Sequence, residues 1–346
     1  MNKPVSSLDG VTPLLHAAPS AWAVLQARGA DAADYLQRQL SNDVASMLPD
    51  EARLAAWCNA KGRMLASFIV LRAPSAESED AWLLLCPHDL LPGLLKKMHM
   101  YILRSKVVLE DVTAQYTLHG LMGTAAEQHW QAAGGSLPPS PWRTLSQPHT
   151  QTIVLPPASL VPPAQSAALP RLLCLQTREQ PAPQGPTLPL ACWAWGEAAS
   201  GVATIGQACS ELFVPQMVNF ESVGGVNFKK GCYPGQEVVA RSQFRGAIKR
   251  RGHIATFACK DGEPAPQAGD TVWQLPADTS ENPVPEADAC GTVVQAACYG
   301  GHGVAFVSLH NQAAEAAASG QMRLHAGSAT GAELALHPLP YSFIEV

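Results

Sequence analysis

Apolar residues fall along this chain in short dense runs, broken by helical spacings and by turn residues. Trp22 and Val24 open a short alternating segment, and Gly29-Ala30 breaks it. Asp31 then stands where an N-cap is wanted with Asp34 three places on, and Leu36 and Leu40 share one helical face. Leu54 to Cys58 and Met64 to Leu71 predict two strands, with hairpin turn chemistry in Asn59-Ala60-Lys61-Gly62 between them. Ala81 to Cys86 predicts a third strand. Asp89 is placed to cap a helix whose buried face carries Leu91, Leu94, Leu95, Met98 and Ile102. Val107 to Val112 and Tyr116 to Leu121 return as strands. Thr124-Ala125-Ala126-Glu127 has the form of a capping box, opening a helix that Gly134-Gly135 closes.

From 136 to 190 the pattern loosens. Thirteen of the 29 prolines lie there, around two strand-like pieces, Thr152 to Leu155 and Arg171 to Gln176. Those apolar pieces need a core, so the region is read as strands with long surface connections. Beyond about residue 250 six short strands follow in about a hundred residues: His253 to Phe257, Thr271 to Leu275, Gly291 to Cys298, Val304 to Leu309, Gln321 to His325 and Ala332 to His337. Gly300-Gly301-His302-Gly303 is a hairpin loop. This spacing predicts a small antiparallel barrel as a separate C-terminal domain. The expected division is 1–245 and 246–346.

Composition narrows the class. The chain has 346 residues, 47% hydrophobic and 15% charged, with a formal net charge of −5. That is enough apolar content for two or three cores. No apolar run reaches the roughly 18 residues of a membrane helix, and Met1-Asn2-Lys3-Pro4 does not begin a leader. Nine scattered cysteines include no C-x-x-C pair and no zinc-finger spacing with histidine. A disulfide framework and a resident metal are therefore not expected, and a reducing cytoplasm fits.

One stretch is crowded with chemistry: Phe228-Lys229-Lys230-Gly231-Cys232-Tyr233-Pro234-Gly235-Gln236-Glu237, continuing to Arg241. Gly231, Pro234 and Gly235 force a tight turn, with positive φ expected at one of the glycines. The turn carries a thiol, an amide and a carboxylate between cations. Lys229, Lys230, Arg241 and Arg245 would favour the Cys232 thiolate if they lie near it. The plainer alternative is a surface turn whose cysteine is packing. From Val238 to Lys260 there are six cations and no acid. That run is either a solvated linker or an anion site for a polyglutamate tail, a phosphate or an RNA backbone. Aromatic residues within it are sparse, so direct nucleic-acid binding is not expected.

Several of these pieces, in order, resemble the YgfZ family of folate-binding proteins, relatives of the glycine-cleavage T-protein (aminomethyltransferase). They are Tyr35-Leu36-Gln37-Arg38-Gln39-Leu40-Ser41-Asn42-Asp43-Val44, Cys58-Asn59-Ala60-Lys61-Gly62-Arg63-Met64-Leu65, Phe213-Val214-Pro215-Gln216 to Asn219, and above all Gly224 to Glu237 with Ala240-Arg241. The resemblance implies an α+β fold, a three-part ring of two interleaved α+β lobes plus a C-terminal antiparallel β-barrel, with tetrahydrofolate in a central cavity. It implies a cytoplasmic role in iron–sulfur cluster assembly or repair, which supports tRNA modification. Partners would be a reduced folate and iron–sulfur proteins or their assembly factors. Cys232 would be the functional thiol, with Lys230, Gln236, Glu237, Arg241 and Arg245 on the cofactor side.

Two departures matter. By similarity the T-protein's acid beside the folate should fall near Ala66-Ser67, yet no carboxylate stands from Gly62 to Leu71. Aminomethyl transfer would lack its acid/base or electrostatic group, so an enzyme of that type is the alternative reading. A tRNA- or protein-binding module without folate is another. The second departure, Glu197-Ala198-Ala199-Ser200-Gly201, lies where pterin contacts would be sought.

Overall fold

The computed structural model describes residues 8–15, 22–73, 81–159, 168–260, 262–278 and 287–344. Met1 to Pro4 lie outside them. The chain opens with β1 (Gly10–Pro13), then leaves that sheet to build a second one from β2 (Trp22–Arg28), β3 (Ala52–Cys58), β4 (Met64–Arg72), β5 (Ala81–Pro87) and β6 (Val108–Asp111). Two helices accompany these strands, α1 (Ala32–Gln39) and α2 (Leu91–His99). The chain then returns to the first sheet with β7 (Tyr116–Met122), α3 (Thr124–Gly134), β8 (Thr144–Gln147), β9 (Thr150–Ala158) and β10 (Leu169–Thr177). Strand order is β1-β7-β10-β9-β8 in one sheet and β3-β4-β5-β2-β6 in the other, so the two lobes interleave.

Both faces of the second sheet are covered, which explains why its strands read as continuous apolar runs rather than as alternation. Ala55, Trp57, Phe68, Val70 and Leu84 pack toward α1 and α2. Their neighbours Leu54, Ala56, Ile69, Leu71 and Leu85 face a central core shared with Ile153, Leu173 and Leu175 of the first sheet. Into that core runs α4 (Leu190–Ala199), with Trp193 and Trp195 buried. The sequence pattern passed over α4 because it is apolar nearly all round, as a buried helix is. The far face of the first sheet is closed by α3 through Ala126 and Trp130.

The C-terminal part is a closed barrel in the order β11-β14-β13-β12-β15-β16. Its strands are β11 (Arg250–Ala258), β12 (Thr271–Pro276), β13 (Asp288–Tyr299), β14 (His302–His310), β15 (Met322–Ala326) and β16 (Ala332–His337). The six expected strands are all present, and α6 (Asn311–Ala318) is an addition between β14 and β15. The α+β fold with a C-terminal barrel is thus the one expected. Past the barrel the chain returns to the lobes, where Tyr341 donates its hydroxyl to the Gly201 carbonyl at 2.6 Å.

Several local expectations are corrected. Asp31 holds the N-cap position, but its carboxylate accepts from the Lys106 N–H at 2.7 Å instead of capping α1. Asp89 accepts from the Gln207 N–H rather than capping α2, and Ile102 lies past that helix. The capping box is not formed: Gly123 is the N-cap of α3, and Asp9 from 116 residues away accepts from the Ala125 N–H at 2.8 Å. In each case a tertiary partner outcompetes the local one. The sulfurs of Cys259 and Cys298 are bonded where no disulfide was expected, because β14 holds the ends of β11 and β13 to either side of it.

Candidate functional site

The crowded stretch becomes a short loop leading into a helix, α5 (Gln236–Phe244). Gly235 begins the helix at φ 77°, the left-handed region foreseen for one of the two glycines. It also packs hard: a Cβ there would lie 2.3 Å from the Asn59 carbonyl oxygen and 2.6 Å from Gly62. The 59–62 hairpin turn and the 231–235 turn therefore interlock.

Two other motifs clamp the approach to the loop. Ser41 is fully buried; its hydroxyl donates to the Gly225 carbonyl at 2.6 Å and accepts from the Ala56 N–H at 2.7 Å. Asn42 donates to the carbonyls of both Leu54 and Gly224 at 2.7 Å. Gly225 cannot carry a side chain, since a Cβ would meet the Phe220 ring at 2.2 Å. The Asn227 side chain then accepts from the N–H groups of Lys229 and Lys230, turning the chain. From the far side, Gln216 donates to the Val239 carbonyl of α5 at 2.9 Å. The four motifs quoted from the sequence are one interlocked unit.

Lys230 is buried at 8% exposure, and its ammonium donates to the Gln37 and Leu40 carbonyls at the end of α1. Burial lowers it to about 8, with the Asp43 and Cys232 charges pulling the other way. Its ring neighbour Tyr233, 5.2 Å below the ammonium, is buried beside it. Lys230 is thus a clamp between loop and helix. Cys232, two residues on, is exposed; the other six free cysteines among the described residues are all buried. Glu237 and Arg241 pair at 3.0 Å on the exposed face of α5, a surface pair of small energetic weight. Gln236 holds the first turn of α5 through its backbone N–H to the Tyr233 carbonyl.

Only part of the basic run is a linker: Arg241 lies in α5 and Arg250 and Arg251 in β11, whereas Arg245 and Lys249 lie on the 245–249 connection between them. Most of its charge is committed. Arg251 pairs with the wholly buried Glu221, and Arg250 donates to His310 Nε2 at 2.8 Å. Burial, with the Arg250 and Lys249 charges, lowers the His310 pKa and keeps the ring a neutral acceptor. Arg245 and Lys249 make no ion pair among the described residues.

A cavity opens inside the lobes between Trp22, Ser67, Trp142, Arg171, Glu197 and Thr204, and residues 228–245 contribute nothing to its lining. Its volume is about 30 Å³, room for about two waters, so a larger ligand enters only if the lining side chains move apart. Arg171, in β10, is 4% exposed; it lies 4.6 Å over the Trp193 ring, and its Nε has no hydrogen-bond partner. Burial lowers its pKa to about 10, against the pull of Glu197. Burial raises the Glu197 carboxyl, opposed by the Arg171 charge and by the nearby Trp193 indole, which stands short of a full hydrogen bond. Ser67, on β4, spends its hydroxyl accepting from the Ile205 N–H at 2.8 Å. The acid facing this cavity thus comes from α4, not from β4. Arg171 was missed as a site residue; its only sequence signal was one cation inside the apolar run Leu169 to Leu175.

The chain is 30% identical over 337 residues to the tRNA-modifying protein YgfZ of Sodalis glossinidius, covering 94% of this chain and 92% of that one. The chain belongs to the YgfZ family. The tRNA-modifying protein YgfZ of Escherichia coli O157:H7 is 29% identical over 252 residues, covering 72% and 73% of the two chains. No family model matches the chain. Among solved structures, the glycine cleavage system aminomethyltransferase T from Bartonella henselae superposes with a TM-score of 0.61 at 12% identity, covering 96% of this chain and 86% of that one. At that identity the likeness is one of fold. It extends to both lobes and the barrel, so this chain shares the architecture of that aminomethyltransferase. No helix among the described residues is long and apolar enough to cross a membrane. No group of three metal-ligating side chains forms among them.

Proposed function

We propose that this YgfZ-family protein binds a reduced folate at the lobe cavity, which widens to admit it, and uses Cys232 as a thiolate in iron–sulfur cluster assembly or repair, in support of tRNA modification. The observation that carries the thiol role is the placement of Cys232: the sole exposed free thiol among the described residues, on a loop that the three other motifs tie down. A packing cysteine would be inside, as the other six are. One thiolate cannot hold a cluster alone, so a client or a small molecule supplies the remaining ligands.

The cavity's chemistry suits a folate. A pterin presents adjacent N–H donors that the Glu197 carboxylate can accept, and a carbonyl for the unpartnered Arg171 Nε. Trp22 and Trp142 add aromatic surface to the lining. The relatives' name supports the link to tRNA modification, and the shared fold supports a folate site. With the Ser67 hydroxyl already bonded and no acid on β4, aminomethyl transfer is the weaker reading.

Titration with 5-formyltetrahydrofolate, followed by tryptophan emission and calorimetry, tests the folate site. Arg171→Met and Glu197→Gln should weaken binding at least tenfold, or about 1.4 kcal/mol; absence of binding up to millimolar folate would end that half of the proposal. Cys232→Ser should leave folate affinity and melting temperature nearly unchanged and abolish support of iron–sulfur tRNA-modifying enzymes in cells. Full support by that variant would end the other half.

A further inference from the structure

At one end of the barrel Cys259 follows β11, and Cys298 stands in the last part of β13, with their sulfurs joined. Phe257 of β11 and Cys298 of β13 both pair with Gly303 of β14, and the Cys259 N–H donates to the Gly301 carbonyl at 3.1 Å. The bond therefore staples the mouth of the β13–β14 hairpin to the strand beyond it.

Both cysteines are half-exposed, and with Lys260, Pro264, Tyr299 and Gly301 they line an open surface cavity of about 350 Å³. That volume is of small-molecule size. Other sulfurs near the barrel are shielded. Cys209 is buried and its thiol pushed up to about 12; Cys290 is buried and pushed up to about 11. The hairpin it closes also reaches the lobes, where Gln295 of β13 accepts from the N–H of Thr204 in the cavity wall at 2.9 Å.

We propose that the Cys259–Cys298 disulfide is a thiol-exchange site for low-molecular-weight thiols, which enter this surface cavity to reach it. The incoming thiolate attacks one sulfur; the S–S bond breaks, and the other cysteine departs as a thiolate that takes a proton from water. A second small thiolate attacks the mixed disulfide, releasing the second cysteine thiolate and the small-molecule disulfide. The two small thiols are oxidised and the protein bond is reduced by two electrons. Small-molecule disulfide runs the sequence backward. The seven other cysteines take no part, because six are buried and Cys232 stands on α5's loop, outside this cavity.

The test uses the full-length folded protein. It is incubated with millimolar reduced glutathione, quenched in acid, alkylated and mapped by peptide mass. The expected result is a glutathione adduct on Cys259 or Cys298, followed by alkylation of both, with the buried cysteines unlabelled. Oxidised glutathione should restore the bond, and amide exchange should quicken at residues 299–303 on reduction. In Cys298→Ser the adduct should form at Cys259 from oxidised glutathione and persist. If the bond survives glutathione in the folded protein and opens only in denaturant, the proposal is overturned. It is equally overturned if both thiols are free in freshly isolated protein and oxidised glutathione fails to join them.

Discussion

Replacing Ser41 with alanine should loosen the Cys232 loop from a position 191 places earlier in the sequence. The Ser41 hydroxyl is fully buried and serves two groups at once, the Gly225 carbonyl at 2.6 Å and the Ala56 N–H at 2.7 Å. Alanine fits the space and supplies neither bond, so a buried acceptor and a buried donor are left without partners. Each such group costs about 1–3 kcal/mol, which places the loss at about 2–6 kcal/mol. The backbone bond from the Asn227 N–H to the Ser41 carbonyl survives, as do both Asn42 bonds, so the fold should persist. Urea unfolding with an unchanged slope gives the magnitude, and iodoacetamide labelling of Cys232 with amide exchange at 224–230 reports the local loosening. Ser46→Ala, which removes only exposed bonds, one donated to Asp43 and one accepted from Arg53, is the control and should stay within about 0.5 kcal/mol. A Ser41→Ala loss no larger than the control's would refute the idea that this hydroxyl locks the motifs together.

Gly235→Ala should destabilise by more than about 2 kcal/mol, since left-handed backbone and a 2.3 Å clash with the Asn59 carbonyl act together; a melting temperature within a degree of wild type would contradict this. Arg251→Met should cost about 3–5 kcal/mol by stranding the Glu221 charge, and adding Glu221→Leu should recover most of that, which a double-mutant cycle measures. Folded Lys230 releases its proton near pH 8 while the unfolded lysine holds it to its ordinary value of 10.5, so the unfolded state binds more protons in that window. Stability from this residue therefore rises between those pH values, and Lys230→Met should remove the rise; parallel stability curves for the two proteins would count against it. Finally, no aminomethyl transfer is expected in a reconstituted glycine-cleavage assay, and sustained turnover by the wild-type chain would reverse that conclusion.

Most strand positions were legible in the sequence because burial writes dense apolar runs, and turns such as 59–62 carry their own chemistry; the short strands β1 and β8 were not. The barrel followed from six such runs at regular spacing, and the loop around Cys232 from its glycines and proline. The helices α4, α5 and α6 were not legible: one is apolar all round, one begins inside the motif read as a turn, and one is a short alanine-rich insertion. Which caps form was also beyond local reading, since Asp9 displaces Thr124 and Asp31 turns to Lys106 only once distant strands are assembled. The same holds for the site. That Cys232 and its neighbours matter could be read from one stretch, but that Lys230 is a buried clamp depends on where α1 ends in space. Arg171 and Glu197 lie in a strand and a helix 26 residues apart, and only the packing of α4 into the core brings their charges to one cavity. Long-range burial decides which polar groups must find each other, and that information is spread over the whole chain.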